Sequence, residues 1–181
     1  MTDTLDRTTT APADAGAKKT RRQNAEKGFV ATKELTDSMQ AVLVDLIELH
    51  LQGKQAHWNI VGRNFRDLHL QLDEIIDAAR EFSDEVAERL RALHAVPDGR
   101  SDTVSATTSL PEFPHGEIDT TDAVDLVVQR LEATVGTMRE VHDTIDDADP
   151  TSADILHGII EKLEQYAWMV GAENRTAKRL S

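Results

Sequence analysis

The stretch FRDLHLQLDEIIDAAREFSDEVAERLRALHA, residues 65–95, decides the fold. Its apolar members Leu68, Leu72, Ile75, Ile76, Ala79, Phe82, Val86, Leu90 and Leu93 recur at steps of three and four. That is the spacing of one buried stripe on a long helix. Pro97-Asp98-Gly99 then stops it. A helix of this length needs partners to cover its stripe, and the flanking sequence supplies three. From about Thr32 to Val61 the residues Leu35, Met39, Val42, Leu43, Leu46, Leu49 and Ile60 follow the same rhythm, with Gly62 placed to end it. Two further helices are expected at about Thr121 to Asp146 and Ser152 to Lys178, with Asp149-Pro150-Thr151-Ser152 as turn and cap between them.

Residues 96–119 contain Pro97, Pro111 and Pro114 and join the second helix to the third. A connection that long inside a compact domain calls for a structural role. A crossover along a bundle supplies one, with a short helix near Ser101–Thr108. The fold expected is therefore all-α: a four-helix bundle with one long crossover, the ferritin-like arrangement. Scarce glycine (9) and proline (5) argue the same way against a many-turned β fold.

Cysteine is absent, which removes disulfides, thiolate zinc sites and iron–sulfur clusters, and leaves His, Asp and Glu as metal ligands. Such donors suit iron, manganese or zinc. The formal net charge is −13, unevenly spread. Residues 1–28 carry six basic side chains (Arg7, Lys18, Lys19, Arg21, Arg22, Lys27) against four acidic ones, so a mildly basic tail precedes a strongly acidic body. The tail lacks apolar periodicity and is expected to be disordered, with the bundle domain from 29 to 181. Residues 1–17 have no apolar run of the kind a leader carries, and no stretch is apolar enough to span a membrane, so a cytoplasmic location is expected.

On the second helix His69 and Asp73 are four residues apart, as are Asp84 and Glu88, so each pair can grip one object. At about 100° per residue all four project from one stripe. His57 stands near the end of the preceding helix, where the turn at Gly62 returns it to the start of the second. The two pairs are about 22 Å apart along the axis, whereas metal–ligand bonds are near 2 Å. One helix therefore makes two half-sites, and an antiparallel two-fold pairing with a second copy would set His69 and Asp73 opposite the partner's Asp84 and Glu88. The two-fold is expected near Ala78 and Ala79, where small side chains permit close approach.

The run His57-Trp58-Asn59-Ile60-Val61-Gly62, followed by Phe65, Leu68-His69, Asp73 and Asp84-Glu85-Val86-Ala87-Glu88-Arg89, resembles the Dps family (DNA-binding protein from starved cells), ferritin-like miniferritins. The likeness extends from about residue 33 to 178 and includes Tyr166-Ala167-Trp168-Met169. It implies a hollow homo-dodecamer that oxidises Fe(II), with hydrogen peroxide preferred to oxygen, and stores the ferric mineral. His57, His69 and Asp73 of one subunit and Asp84 and Glu88 of its partner would be the ligands. Asp149 and Asp154 match positions lining negative pores for iron access, with helix capping the competing role for either. Trp58, beside the first ligand, would pack or intercept stray oxidant. Glu74, Asp77 and Glu81 are candidates for nucleating mineral. Lys18, Lys19, Arg21, Arg22 and Lys27 are the candidates for non-specific, salt-sensitive DNA contact. A structural nucleoid protein presenting basic tails on such a shell is the alternative function. The sole Glu-x-x-His, Glu112-Phe113-Pro114-His115, lies in the proline-flanked connection, which disfavours a di-iron site inside one bundle.

Overall fold

The computed structural model describes residues 28–179. Helix α1 spans Lys33–Asn59, α2 Phe65–Ala92, the short α3 Ser101–Thr107, α4 Thr120–Ala148 and α5 Pro150–Gly171, followed by a 3-10 turn Ala172–Asn174. Thr32 caps α1 by accepting from Leu35 N at 3.2 Å, and Asp119 caps α4 by accepting from Thr121 N at 2.9 Å. Helix α1 packs against α2 and α4, and α5 against α4 and α2, so the four long helices close on one core. The stripe of α2 lies in it: Leu72, Ala79, Val86 and Leu90 are fully buried against Leu35, Met39, Leu46, Leu131, Met138, Leu156 and Leu163. The all-α, ferritin-like bundle expected from periodicity is present, with its long crossover and its short helix.

Buried polar side chains fasten the crossover to the bundle. Asp45, 1% exposed, accepts from Thr108 Oγ1 (2.9 Å), Ser109 N (2.8 Å), Ser109 Oγ (2.6 Å) and Thr137 Oγ1 (2.7 Å). Gln40 brackets Asp98 by donating to its carbonyl and accepting from its amide. Arg130 donates to the Glu112 carbonyl at 2.6 Å and to Gln52 Oε1 at 3.0 Å, and its guanidinium lies 5.1 Å from the Phe113 ring centre. The Glu-x-x-His segment is thus tied down as connection.

Two departures from the expected elements bear on the site. Between α1 and α2 the chain makes a two-residue strand β1 (Ile60–Val61), paired in parallel with β2 (Ile118–Asp119), Ile60 opposite Ile118. The fourth helix ends at Gly171 instead of near Lys178. Its apolar rhythm stops at Val170, and Asn174 turns to donate to Thr121 O (2.9 Å) and Asp125 Oδ1 (2.8 Å) at the start of α4. Among the described residues no helix is long and apolar enough to cross a membrane. The expected disordered tail, with Lys18, Lys19, Arg21, Arg22 and Lys27, lies outside the described residues.

Candidate metal centre

The turn from α1 to α2 builds the site. Gly62 has φ +127°, and a Cβ there would stand 2.9 Å from Thr120 Oγ1 and 3.0 Å from Asp119 Oδ2. Thr120 in turn donates to Arg63 O at 2.7 Å. This clasp returns α2 beside the end of α1, so that His57, His69 and Asp73 each offer an atom within 4.8 Å of the others. The His57 and His69 rings stack with centres 3.7 Å apart and planes 26° off parallel, and Phe65 covers the far face of the pair at 5.1 Å from His69. His69 Nδ1 lies 3.1 Å from the His57 carbonyl, which fixes Nδ1 as the protonated nitrogen and leaves Nε2 with its lone pair.

His57 Nε2 is 3.0 Å from Asp73 Oδ1, an ion-pair distance, while neither buried ring nitrogen has a hydrogen-bond partner of acceptable geometry among the described residues. Buried polar atoms are ordinarily satisfied, and an unsatisfied imidazole facing a carboxylate is the arrangement a cation would complete. Lys54 Nζ donates to Asp73 Oδ1 at 2.8 Å. That bond, opposed by some desolvation and aided by the neighbouring imidazole of His57, holds the Asp73 carboxyl below its usual range and keeps it ionised. His50, two turns before His57 on the same face, went unmarked in the sequence. Burial, then Arg80 and Lys54, push its imidazole down, against the pull of Asp77.

Asp84 and Glu88 do not join this cluster. They are exposed on α2, with no hydrogen bond or ion pair among the described residues, and Asp84 opens on a cleft of about 610 Å³ lined by Leu43, Ile47, Asp77, Arg80 and Glu81. Eleven residues of helix separate Asp73 from Asp84, about 16 Å. The expected two-fold contact at Ala78 and Ala79 is corrected. Ala79 is 0% exposed in the chain's own core, and Ala78 packs partly buried against that core. Position midway along the helix does not fix the direction a side chain faces. Relative to His69, Ala78 and Ala79 point about 180° and 280° round the helix, whereas the ligand stripe covers about 0–100°. At that level the stripe presents Asp77 and Arg80, both exposed.

The remaining candidates separate. Asp149 has its carboxylate committed within the chain, to Arg89 Nη2 at 2.6 Å and to the hydroxyl of Ser152 in the first turn of α5. Asp154 is 84% exposed, with His157 Nδ1 3.5 Å away. Glu74, Asp77 and Glu81 are all exposed. Trp58 is 70% exposed. With Val61, Phe65 and Leu70 it gives the rim of the cluster an apolar surface.

The chain matches a family model described as a ferritin-like domain over residues 36–180. It is 36% identical over 147 residues to DNA protection during starvation protein 2 of Deinococcus radiodurans, a match covering 78% of this chain and 60% of that relative, which is less than two thirds of its length. It is 33% identical to the DNA protection during starvation protein of Agrobacterium fabrum, covering 72% of this chain and 81% of the relative. Among solved structures, the high-iron form of Dps from Microbacterium arborescens superposes with a TM-score of 0.74 at 29% identity, over 81% of this chain and 98% of that one.

Proposed function

The chain belongs to the Dps family of ferritin-like proteins, and from that premise we propose that it oxidises and stores iron, protecting the cell and its DNA from oxidative damage. The substrate is Fe(II), taken by His57, His69 and Asp73 of one subunit with Asp84 and Glu88 of the partner subunit. The observation that carries the reading is the convergence of two stacked imidazoles and an ionised carboxylate at the bundle surface, with both His57 nitrogens unsatisfied. Three ligands from one chain leave open coordination positions, which an oxidant needs. With peroxide as oxidant, two Fe(II) ions each give one electron, the O–O bond breaks, and two Fe(III) and two hydroxides result. No one-electron cleavage of peroxide occurs, so no hydroxyl radical is released.

The assembly is a homo-dodecamer whose two-fold pairs set α2 antiparallel to the partner's α2. Matching His69 to the partner's Glu88 and Asp73 to the partner's Asp84 places Asp77 against Arg80 of the partner subunit, so two acids and two bases gather at the axis. The exposed Trp58, Val61, Phe65 and Leu70 would be covered there. Iron reaches the hollow past Asp154, whose carboxylate is exposed, while Asp149 shapes the same turn through Arg89 and Ser152. Glu74 and Glu81 are candidates for mineral nucleation. The domain organisation we infer is a basic tail, residues 1–28, ahead of the bundle domain 29–181.

Anaerobic Fe(II) titration followed by peroxide tests the activity. Saturable oxidation is expected, with loss in both His57→Ala and Asp84→Ala; oxidation indifferent to both changes would refute it. The relatives are named for DNA protection; for this chain we infer phosphate contact by Lys18, Lys19, Arg21, Arg22 and Lys27 from their charge, a weak contact that twelve tails would multiply. A low-salt gel shift should be lost on removing residues 1–28, and equal shifts would exclude the tail.

A further inference from the structure

A second cluster of metal-ligating side chains lies outside the site described above. His142, near the end of α4, and His157, in the second turn of α5, meet across the turn at Asp149 with their Nε2 atoms 2.7 Å apart and ring centres 4.9 Å apart. They border a cleft of about 570 Å³ that also holds Asp143, Glu161, Glu164 and Arg139, the last ion-paired with Glu164.

Each imidazole turns its other nitrogen to a carboxylate. His142 Nδ1 lies 3.0 Å from Asp143 Oδ1, and His157 Nδ1 lies 3.5 Å from Asp154 Oδ1. A carboxylate only accepts, so His142 carries its proton on Nδ1 and presents the Nε2 lone pair to His157. Carboxylate on Nδ1 with Nε2 aimed at a shared point is how proteins orient histidines toward a metal. Glu161 follows His157 by four residues, on the same helix face, and lines the same cleft.

We propose that His142 and His157, with Glu161, form a second site for a divalent first-row transition ion, complete within one chain. Two nitrogens bound to a tetrahedral ion at about 2.05 Å stand roughly 3.3 Å apart. The rings therefore need to open by only about 0.6 Å, within reach of small side-chain rotations at a partly exposed surface. Imidazole with carboxylate selects Zn(II), Fe(II) or Co(II) over Ca(II) and Mg(II), and the acids around the cleft outnumber its one arginine, which favours a cation. The competing arrangement is a plain hydrogen bond, His157 Nε2–H donating to His142. That arrangement binds no metal, so the two differ in a measurable quantity.

The probe is Zn(II), which cannot be oxidised, added to the full-length chain carrying His57→Ala and Asp73→Ala to silence the first cluster. One Zn(II) per chain is expected, with affinity falling at least tenfold on adding His142→Gln or His157→Gln and about tenfold with Asp143→Asn. Crystals of the unaltered protein soaked in Zn(II) should show an anomalous peak about 2.1 Å from both Nε2 atoms, a readout that needs no variant to fold. Zinc binding unchanged by His142→Gln, or a zinc-soaked map without that peak, overturns the proposal. Neither measurement depends on iron oxidation or on a partner subunit, so its failure leaves the first site untouched.

Discussion

Replacing Gly62 by alanine tests how the turn assembles the ligands. The backbone there sits at φ +127°, a region essentially reserved for glycine, and occupying it with a side chain costs about 1–3 kcal/mol. The new Cβ would also meet Thr120 Oγ1 at 2.9 Å. That hydroxyl cannot swing away without giving up its 2.7 Å bond to Arg63 O, worth about 1 kcal/mol. Against these, alanine stiffens the unfolded chain and returns about 0.4–1 kcal/mol. The net expectation is a loss of about 2–3 kcal/mol, or a fall in Tm of roughly 4–12 °C for a domain of this size. Thermal melts at one fixed protein concentration, which oligomers require, provide the assay. Adding Thr120→Ala removes the clashing hydroxyl but forfeits the same bond to Arg63 O, so the double change should be about as unstable as Gly62→Ala alone, short of the sum of the two single losses by about 1 kcal/mol. Fe(II) affinity should fall as well, because the same turn holds the His57 carbonyl 3.1 Å from His69 Nδ1. A Gly62→Ala protein as stable as the parent would refute the claim that this turn fixes the cluster.

Charge reversal probes the two-fold register. Asp77→Arg or Arg80→Asp alone should weaken assembly by at least about tenfold, and the two together should restore it; sedimentation showing intact dodecamers for either single reversal would rule the pairing out. The ion pair of Arg89 with Asp149 predicts a pH-dependent cost. Burial alone would raise the Asp149 carboxyl, but the bonds from Ser152 and Arg89 outweigh it and hold the group below its usual range. A depressed folded value means stability present at neutral pH and lost as pH falls through that value. Arg89→Leu should therefore cost about 2 kcal/mol near pH 7, a penalty that shrinks as pH falls through the folded value of the Asp149 carboxyl; a penalty that stays constant as denaturant titrations are carried into acid would contradict the assignment.

Local periodicity made much of this molecule legible. The four long helices follow from apolar steps of three and four, and the two candidate pairs, His69 with Asp73 and Asp84 with Glu88, from two steps of four on one stripe. What escaped depends on contacts distant in sequence. Asp45 sits in an ordinary helical run, and nothing nearby in sequence marks it as the anchor for Thr108, Ser109 and Thr137, 63 to 92 residues on. Gln52 and Arg130 are likewise joined only by folding. The strands at Ile60 and Ile118 are two residues each, too short to leave a pattern. Ala78 and Ala79 lie midway between the two pairs along the helix but turn away from their stripe, and Ala79 is buried in the chain's own core. His142 and His157 escaped because they stand on different helices, and no single-helix spacing links them.

The central claim is that each iron site draws ligands from two chains, and co-assembly of two defective chains tests it most directly. One chain carries His57→Ala and Asp73→Ala, the other Asp84→Ala and Glu88→Ala. In a mixed two-fold pair one of the two sites receives every native ligand and the other receives almost none. At equal expression half the pairs are mixed, so Fe(II) oxidation by peroxide should return to about one quarter of the parent rate, while each variant assembled alone stays inactive. No recovery in the mixture, or activity in either variant alone, would contradict the shared site.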